Sequence, residues 1–154
     1  GDGSACHPWN GRRVDGTRAR AGVINSNLMN ILTHARFKKW METYGRASAE
    51  NDPLRSANLF AENARYYETP FAEPMIGRET IFEYWNDRAR NLKDKVSTFE
   101  ILSVNGNRGI AHWQSKFTVI ESGKRLALDC VFIVEFGDDG LCHTFREWWH
   151  TRDV

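Results

Sequence analysis

A carboxylate that alternates with large aromatic side chains is the first candidate for chemistry. In Phe145-Arg146-Glu147-Trp148-Trp149 the two-residue period of a strand puts Glu147 on one face with Phe145 and Trp149. A carboxyl on such a face must be paired, hydrated or protonated, and a protonated one can donate to a developing oxyanion. The alternative is a hydrogen-bonded structural glutamate at a cavity rim. Glu68 closes the short aromatic run Ala64-Arg65-Tyr66-Tyr67-Glu68. Enclosed by Phe71, Trp85, Trp113 and Phe145, it would lose solvent and its pKa would rise toward the working range of a general base. As a strand-end group it would instead accept hydrogen bonds from the proline-containing loop that follows. Tyr44 stands four residues after Trp40 and seven after Phe37, so its ring belongs to a buried stripe, and its hydroxyl is either satisfied there or offered as a donor.

Trp113, Ser115, Phe117, Cys130, Phe132, Phe145 and Trp149 share one strand face, which either fills a core or lines a pocket. The opposite face carries His112, Gln114, Lys116, Asp129, Val131, Ile133, Arg146, Trp148 and His150, a mixture that suits a subunit contact. Asp129 is expected there in an ion pair with Arg146. His112, His143 and His150 have no chelating spacing, and no metal site is expected. Cys6, Cys130 and Cys142 are odd in number and read as free thiols.

These groups must be positioned by a single domain, because 154 residues suffice for one core and are short for two. With 21 Lys+Arg against 20 Asp+Glu the net charge is +1, which argues against nucleic acid or an anionic surface as partner. No run approaches the roughly 18 apolar residues of a membrane span, and the N-terminus has no signal-peptide core, so a cytoplasmic protein is expected. Residues 1–22 hold 5 of the 12 glycines and almost no aliphatic side chains, which predicts a loose tail ahead of one domain over 23–154.

Apolar spacings of three and four through Ile31, His34, Phe37, Trp40, Met41, Tyr44 and Ala47 predict a first helix from about Asn30 to about Glu50. Asn51-Asp52-Pro53 starts a second helix with Leu54, Ala57, Leu59 and Phe60 on its apolar face. A strand over 64–68, a loop over 69–77 and a helix over 78–92 follow, the helix burying Ile81, Phe82, Tyr84, Trp85 and Ala89. The period then changes to two in 96–104, 110–120, 126–136 and 141–150, an antiparallel meander. The expected fold class is therefore α+β: three N-terminal helices on a curved antiparallel sheet. With Asp138-Asp139 at the last hairpin's tip, Phe132 faces Phe145, Cys130 faces Glu147, Leu128 faces Trp149, Val131 faces Arg146 and Asp129 faces Trp148.

Asn58-Leu59-Phe60-Ala61-Glu62-Asn63-Ala64 leading into Tyr66-Tyr67-Glu68-Thr69-Pro70-Phe71, then Pro74, Gly77 and Ile81 to Trp85, resembles the SnoaL-like and nuclear transport factor 2-like superfamily, which includes the ketosteroid isomerases. Phe145 to His150 resembles the closing strand of its SnoaL-like members. The resemblance, over about 34–152, implies a cystatin-like cone enclosing a pocket. It matches Tyr44 to the isomerases' oxyanion-binding tyrosine and Glu68 to their proton-abstracting aspartate. Their third group, a protonated aspartic acid, falls at Phe132, which donates nothing. Losing one oxyanion donor costs about 2.7–4 kcal/mol where it has been removed, so ketosteroid isomerisation itself is not expected, and Glu147 on the neighbouring strand is the replacement acid.

The expected function is thus binding of a small, largely apolar organic molecule, with isomerase, cyclase or lyase chemistry by proton abstraction next to a carbonyl. Glu68, Tyr44 and Glu147 would be catalytic, and Trp40, Phe71, Trp85, Trp113, Ser115, Phe132, Phe145 and Trp149 would contact the substrate. No cofactor is expected, and a homodimer is. The competing reading is a ligand-binding or protein-interaction module of the same fold without chemistry.

Overall fold

The computed structural model describes residues 31–154; the expected tail, with Cys6, and the boundary at residue 23 lie outside the described residues. Helix α1 spans His34–Ala49. It starts later than the apolar spacing predicts because Thr33 caps it, its hydroxyl oxygen accepting from the Arg36 backbone N–H at 3.2 Å. Ile31 is left outside the stripe, and Phe37, Trp40, Met41, Tyr44 and Ala47 are buried. After a reversal through Asn51, Asp52 caps the short helix α2, Pro53–Ala57, accepting from Arg55 N at 2.9 Å. The predicted apolar face of this helix forms only in part, with Ala57 buried and Leu59 packed on the core just after the helix. Leu54 is exposed, and Phe60 leaves the helix to open the next strand, where it is fully buried.

Strand β1 covers Phe60–Tyr67, and β2, Met75–Ile76, is a short antiparallel strand inside the predicted loop, with Met75 opposite Tyr66. Gly77, at φ 94°, turns the chain into α3, Arg78–Asn91, in a backbone region that favours glycine. Of the five side chains predicted to be buried on α3 only Ile81 is enclosed. Tyr84 and Trp85 are half-buried because they border a cavity.

The meander follows as β3, Leu92–Asn105, β4, Arg108–Val119, β5, Arg125–Phe136, and β6, Cys142–Asp153. The six strands lie in the order β2-β1-β6-β5-β4-β3. The sheet is mixed rather than wholly antiparallel: β1 runs parallel to β6, with Tyr66 opposite Phe145 and Tyr67 opposite Arg146. Partners this far apart in the chain, joined by no hairpin, leave no local signal in the sequence.

The last hairpin is also two residues out of its predicted register. Val134 faces Phe145, Phe132 faces Glu147, Cys130 faces Trp149, Val131 faces Trp148 and Asp129 faces His150. Gly140 takes φ 75°, which moves the tip towards Asp139-Gly140, and a bulge follows between Glu135 and Phe136. A slip of two preserves side-chain direction, so each residue keeps its expected face. Asp129 consequently meets His112 Nε2 at 2.8 Å and Gln114 Nε2 at 2.9 Å, not Arg146, which stacks on the Tyr67 ring at 3.8 Å.

The core lies between α1 and the concave sheet face. Tyr66 stacks on Phe145 with ring centroids 4.5 Å apart, and Trp40 meets Phe60 edge-on at 6.0 Å. Cys130 and Cys142 are both free and buried. Among the described residues, no helix is long and apolar enough to cross a membrane.

Candidate functional site

A cavity of about 400 Å³ lies where α1 and α3 leave part of the concave face uncovered. Such a volume suits a small organic molecule. Burial grades along it. Tyr66, Tyr44, Phe132 and Glu147 form an almost solvent-free inner end, and Asp87, Asn91 and Thr151 stand exposed at its mouth. Trp85, Trp113 and Trp149 form much of the wall between them.

Glu147 is 7% exposed. Tyr66 donates its hydroxyl to Oε1 at 3.1 Å, and the Cys130 thiol donates to Oε2 at 3.6 Å. Among the described residues no cation closes on this carboxyl within salt-bridge distance. Burial pushes its pKa up to about 8, and nearby Glu68 adds to the rise, against the opposing hydrogen bonds from Tyr66 and Cys130. Glu147 is therefore mostly a neutral acid at pH 7. Tyr44 and Tyr66 are both held well above the ordinary phenol range, first by burial and next by Glu147. The inner end thus gathers three neutral groups, Tyr44, Tyr66 and Glu147, with the Tyr66 hydroxyl donating to the carboxyl. Burial likewise raises the Cys130 thiol, which makes it a poor nucleophile.

Glu68, the residue after β1, is held quite differently. Its Oε1 accepts from Tyr84 Oη at 3.2 Å and from Arg88 Nη2 at 3.1 Å. Tyr84 and Arg88 reach it together because residues four apart on α3 share one face. Its backbone carbonyl accepts from Trp149 Nε1 at 3.1 Å. Oε2 has no partner among the described residues. Burial works against the Arg88 charge, yet Tyr84 and Glu68 beside it hold the guanidinium above its ordinary pKa. Inside the mouth, where Asp87 stands exposed, the cavity thus holds one carboxyl paired with a cation and one buried without one.

The fold brings Glu68, Tyr44, Glu147, Trp85, Trp113, Ser115, Phe132 and Trp149 to this one cavity. Trp40, Phe71 and Phe145 do not border it. Phe71 is 99% exposed in the loop after β1, on the far side of the sheet edge from the aromatic wall. Phe145 lies fully buried beneath Tyr66 through the parallel β1–β6 register, and Trp40 is tied into the core by its Nε1 donating to Leu59 O at 3.3 Å. Tyr66, Tyr84, Arg88 and Lys95 border the cavity without having stood out in the sequence. For Tyr84 and Arg88 the four-residue spacing on a predicted helix was an available signal. The indole Nε1 of Trp85 is buried without a hydrogen-bond partner. Among the described residues no three His, Cys, Asp or Glu side chains converge as metal ligands do.

Helices laid over the concave face of a strongly curved sheet, with an aromatic pocket between the layers, define an α+β cone. A profile of the SnoaL-like domain matches residues 38–143, and the chain belongs to that family, as the string around Glu68 indicated. Similar solved structures include the epoxide hydrolase/cyclase-like enzyme SalBIII, described for pyran ring formation in the polyether salinomycin, at 18% identity and TM-score 0.68 over 78% of this chain and 96% of that one. TsrD from Streptomyces laurentii aligns at 22% identity and TM-score 0.65, over 77% and 90% of the two chains. A hypothetical protein with a ketosteroid isomerase-like fold from Catenulispora acidiphila, in complex with trimethylamine, aligns at 13% and 0.63 over 71% and 84%. At these identities the likeness is one of fold. No curated protein matches the sequence.

Proposed function

We propose that the protein is an acid–base enzyme for a small carbonyl compound, of the isomerase, cyclase or lyase type. The observation that carries this reading is two carboxyls inside the mouth of one apolar cavity in opposite environments: Glu68 beside Arg88, and Glu147 enclosed among Tyr66, Phe132 and Cys130. Environments that push two such groups apart separate base from acid. Glu68 Oε2, free of the bonds that anchor Oε1, removes a proton from the carbon next to the substrate carbonyl. The electron pair moves onto the carbonyl oxygen, and Glu147 meets the developing charge with a hydrogen bond or its proton. Tyr66 already donates to Oε1 of Glu147, which leaves the acid proton on Oε2, and Tyr44, bordering the same inner end, offers its hydroxyl as a further donor to the oxyanion. Return of the proton to another carbon completes an isomerisation, and expulsion of a β-substituent completes an elimination.

The same reading includes a homodimer. The outer sheet face sets Trp148 among Asp129, Arg146 and His150, and this mixture suits a two-fold contact with a second copy.

The test of the chemistry is hydrogen–deuterium exchange at the α-carbon of apolar ketones such as 2-tetralone, followed by NMR. The protein should accelerate exchange over buffer, and Glu68→Gln should lose at least about 100-fold of that acceleration. A protein that leaves the rate at the buffer value, or a Glu68→Gln variant with full activity, would remove the base from this role.

A further inference from the structure

One side chain of the cavity has no place in this acid–base scheme. Lys95 lies on β3, where the strand breaks its alternation. Lys93 pairs with Thr118 and Val96 with Lys116, so Asp94 and Lys95 share the single position opposite Phe117. This is a β-bulge. Asp94 adopts φ 53°, a left-handed conformation uncommon outside glycine. Arg125 Nη1 braces the bulge from β5, bonding Asp94 O at 2.9 Å and Thr118 Oγ1 at 3.1 Å.

The bulge decides what faces the cavity. A regular strand would follow Leu92 inward with Asp94 and Val96. Instead Lys95, Ser97 and Phe99 turn to the concave side and Val96 is 57% exposed on the other. Bulges are used to re-aim a side chain in this way. The re-aimed group is an ammonium on an apolar wall, next to Leu92, Phe117, Val119 and Leu126. No hydrogen bond or ion pair joins it to any described residue. Arg88, the other cation of the cavity, is by contrast neutralised by Glu68. Burial alone pushes the Lys95 pKa down to about 8, leaving the amine mostly charged at pH 7. A desolvated cation without a counter-ion is unfavourable for the fold by itself.

We infer that the cavity takes an elongated apolar organic acid, whose anionic group pairs with Lys95 while its body extends along the aromatic wall towards Glu147. The inference rests on the cavity being the small-molecule site proposed above and adds the substrate class. Lys95 stands in the side-chain row of Phe117 and Leu126, whereas Glu147 stands in the row of Ala111 and Phe132. Three rows along β4 amount to roughly 20 Å on a flat sheet, and curvature shortens the path. The ligand supplies the missing counter-charge at the mouth, and its carbonyl end meets Glu147 at the inner end and Glu68 on the way to it.

Dansyl-undecanoic acid and its uncharged methyl ester form a matched probe pair for fluorescence titration of the full chain. The acid should bind about tenfold more tightly than the ester, as a charge-assisted contact in a partly desolvated site requires. Lys95→Met should weaken the acid about tenfold and leave the ester unchanged, while Lys95→Arg should keep the preference. Lys93→Met, on an exposed neighbour, should match the parent. Because Lys95→Met removes an unpaired charge, it should melt no lower than the parent. Equal affinity for acid and ester in the parent overturns the inference, as does an equal loss of both in Lys95→Met, which would make the contact one of packing. Reductive capture of 2-naphthaldehyde at Lys95, with no preference for the acid, would make the amine a nucleophile and overturn it too. Absent α-proton exchange would refute the acid–base scheme and leave the acid preference standing; absent acid preference would leave the exchange result standing.

Discussion

Replacing Glu147 by glutamine tests the neutral-acid assignment through folding alone, with no substrate needed. The folded pKa of about 8 lies above the ordinary value of 4.5. Below about 4.5 the carboxyl is protonated whether the chain is folded or not, and it costs the fold nothing on this account. Between 4.5 and 8 the unfolded chain releases the proton while the folded one keeps it, so stability must fall as pH rises. Above about 8 both states are ionised and the loss is complete. At about 1.4 kcal/mol per pH unit the loss reaches roughly 3 kcal/mol by pH 7 and about 5 kcal/mol by pH 8. Glutamine keeps an oxygen for the Tyr66 hydroxyl and cannot ionise. Urea unfolding of both proteins, followed by tryptophan fluorescence between about pH 5 and 8, should therefore give curves that diverge. The variant should be close to the parent at the acid end and more stable by several kcal/mol at the alkaline end. Groups other than Glu147 titrate in both proteins and cancel in the difference. Lys95, lowered from 10.5 to about 8, carries the opposite slope, but only above this window. Parallel curves across the range would mean that Glu147 is ionised and solvated like an ordinary glutamate, and the acid of the proposed mechanism would be gone.

Two further outcomes follow from packing and assembly. A Cβ added at Gly109 would stand 2.5 Å from Cε1 of the fully buried Phe37, so Gly109→Ala should lose about 1–3 kcal/mol by overpacking; an unchanged melting curve in calorimetry would contradict the close approach of α1 to β4. Trp148→Glu should split the proposed dimer by placing a desolvated charge in both halves of the contact while leaving the cavity intact. Sedimentation equilibrium decides this: a parent that is monomeric at micromolar concentration, or a variant that stays dimeric, assigns the outer face to something else.

The elements legible in the sequence are those with a local signal. The stripe from Phe37 to Ala47, the cap-and-proline start of α2 and the period-two strands after α3 all appear close to their predicted places, because each is written in neighbouring residues. Glu147 reached the cavity for the same reason: strand parity fixed its direction even though its partner across the hairpin is Phe132 rather than Cys130. What escaped depends on distant or unusual backbone. The parallel contact that seats Phe145 under Tyr66 joins segments with no turn between them, so Phe145 reads as pocket wall when it is core. Phe71 reads as wall because it follows the strand directly, whereas the chain turns away into an exposed loop. The bulge that turns Lys95 inward needs Asp94 in a conformation that no sequence rule assigns to it.

Among the described strands β6 comes latest in the chain, yet it is an inner strand of the sheet. β6 lies between β1 and β5, so during synthesis β1 must wait with one pairing edge open, and without Phe145 against Phe60 and Tyr66, until β6 emerges. Such an edge is open to wrong partners, and closure over so long a stretch of chain is slow. Glu147 comes in on that same strand. The acid thus arrives together with Trp149 and Thr151, and a chain cut short before β6 would lose the inner end of the site along with the strand that joins the two halves of the sheet.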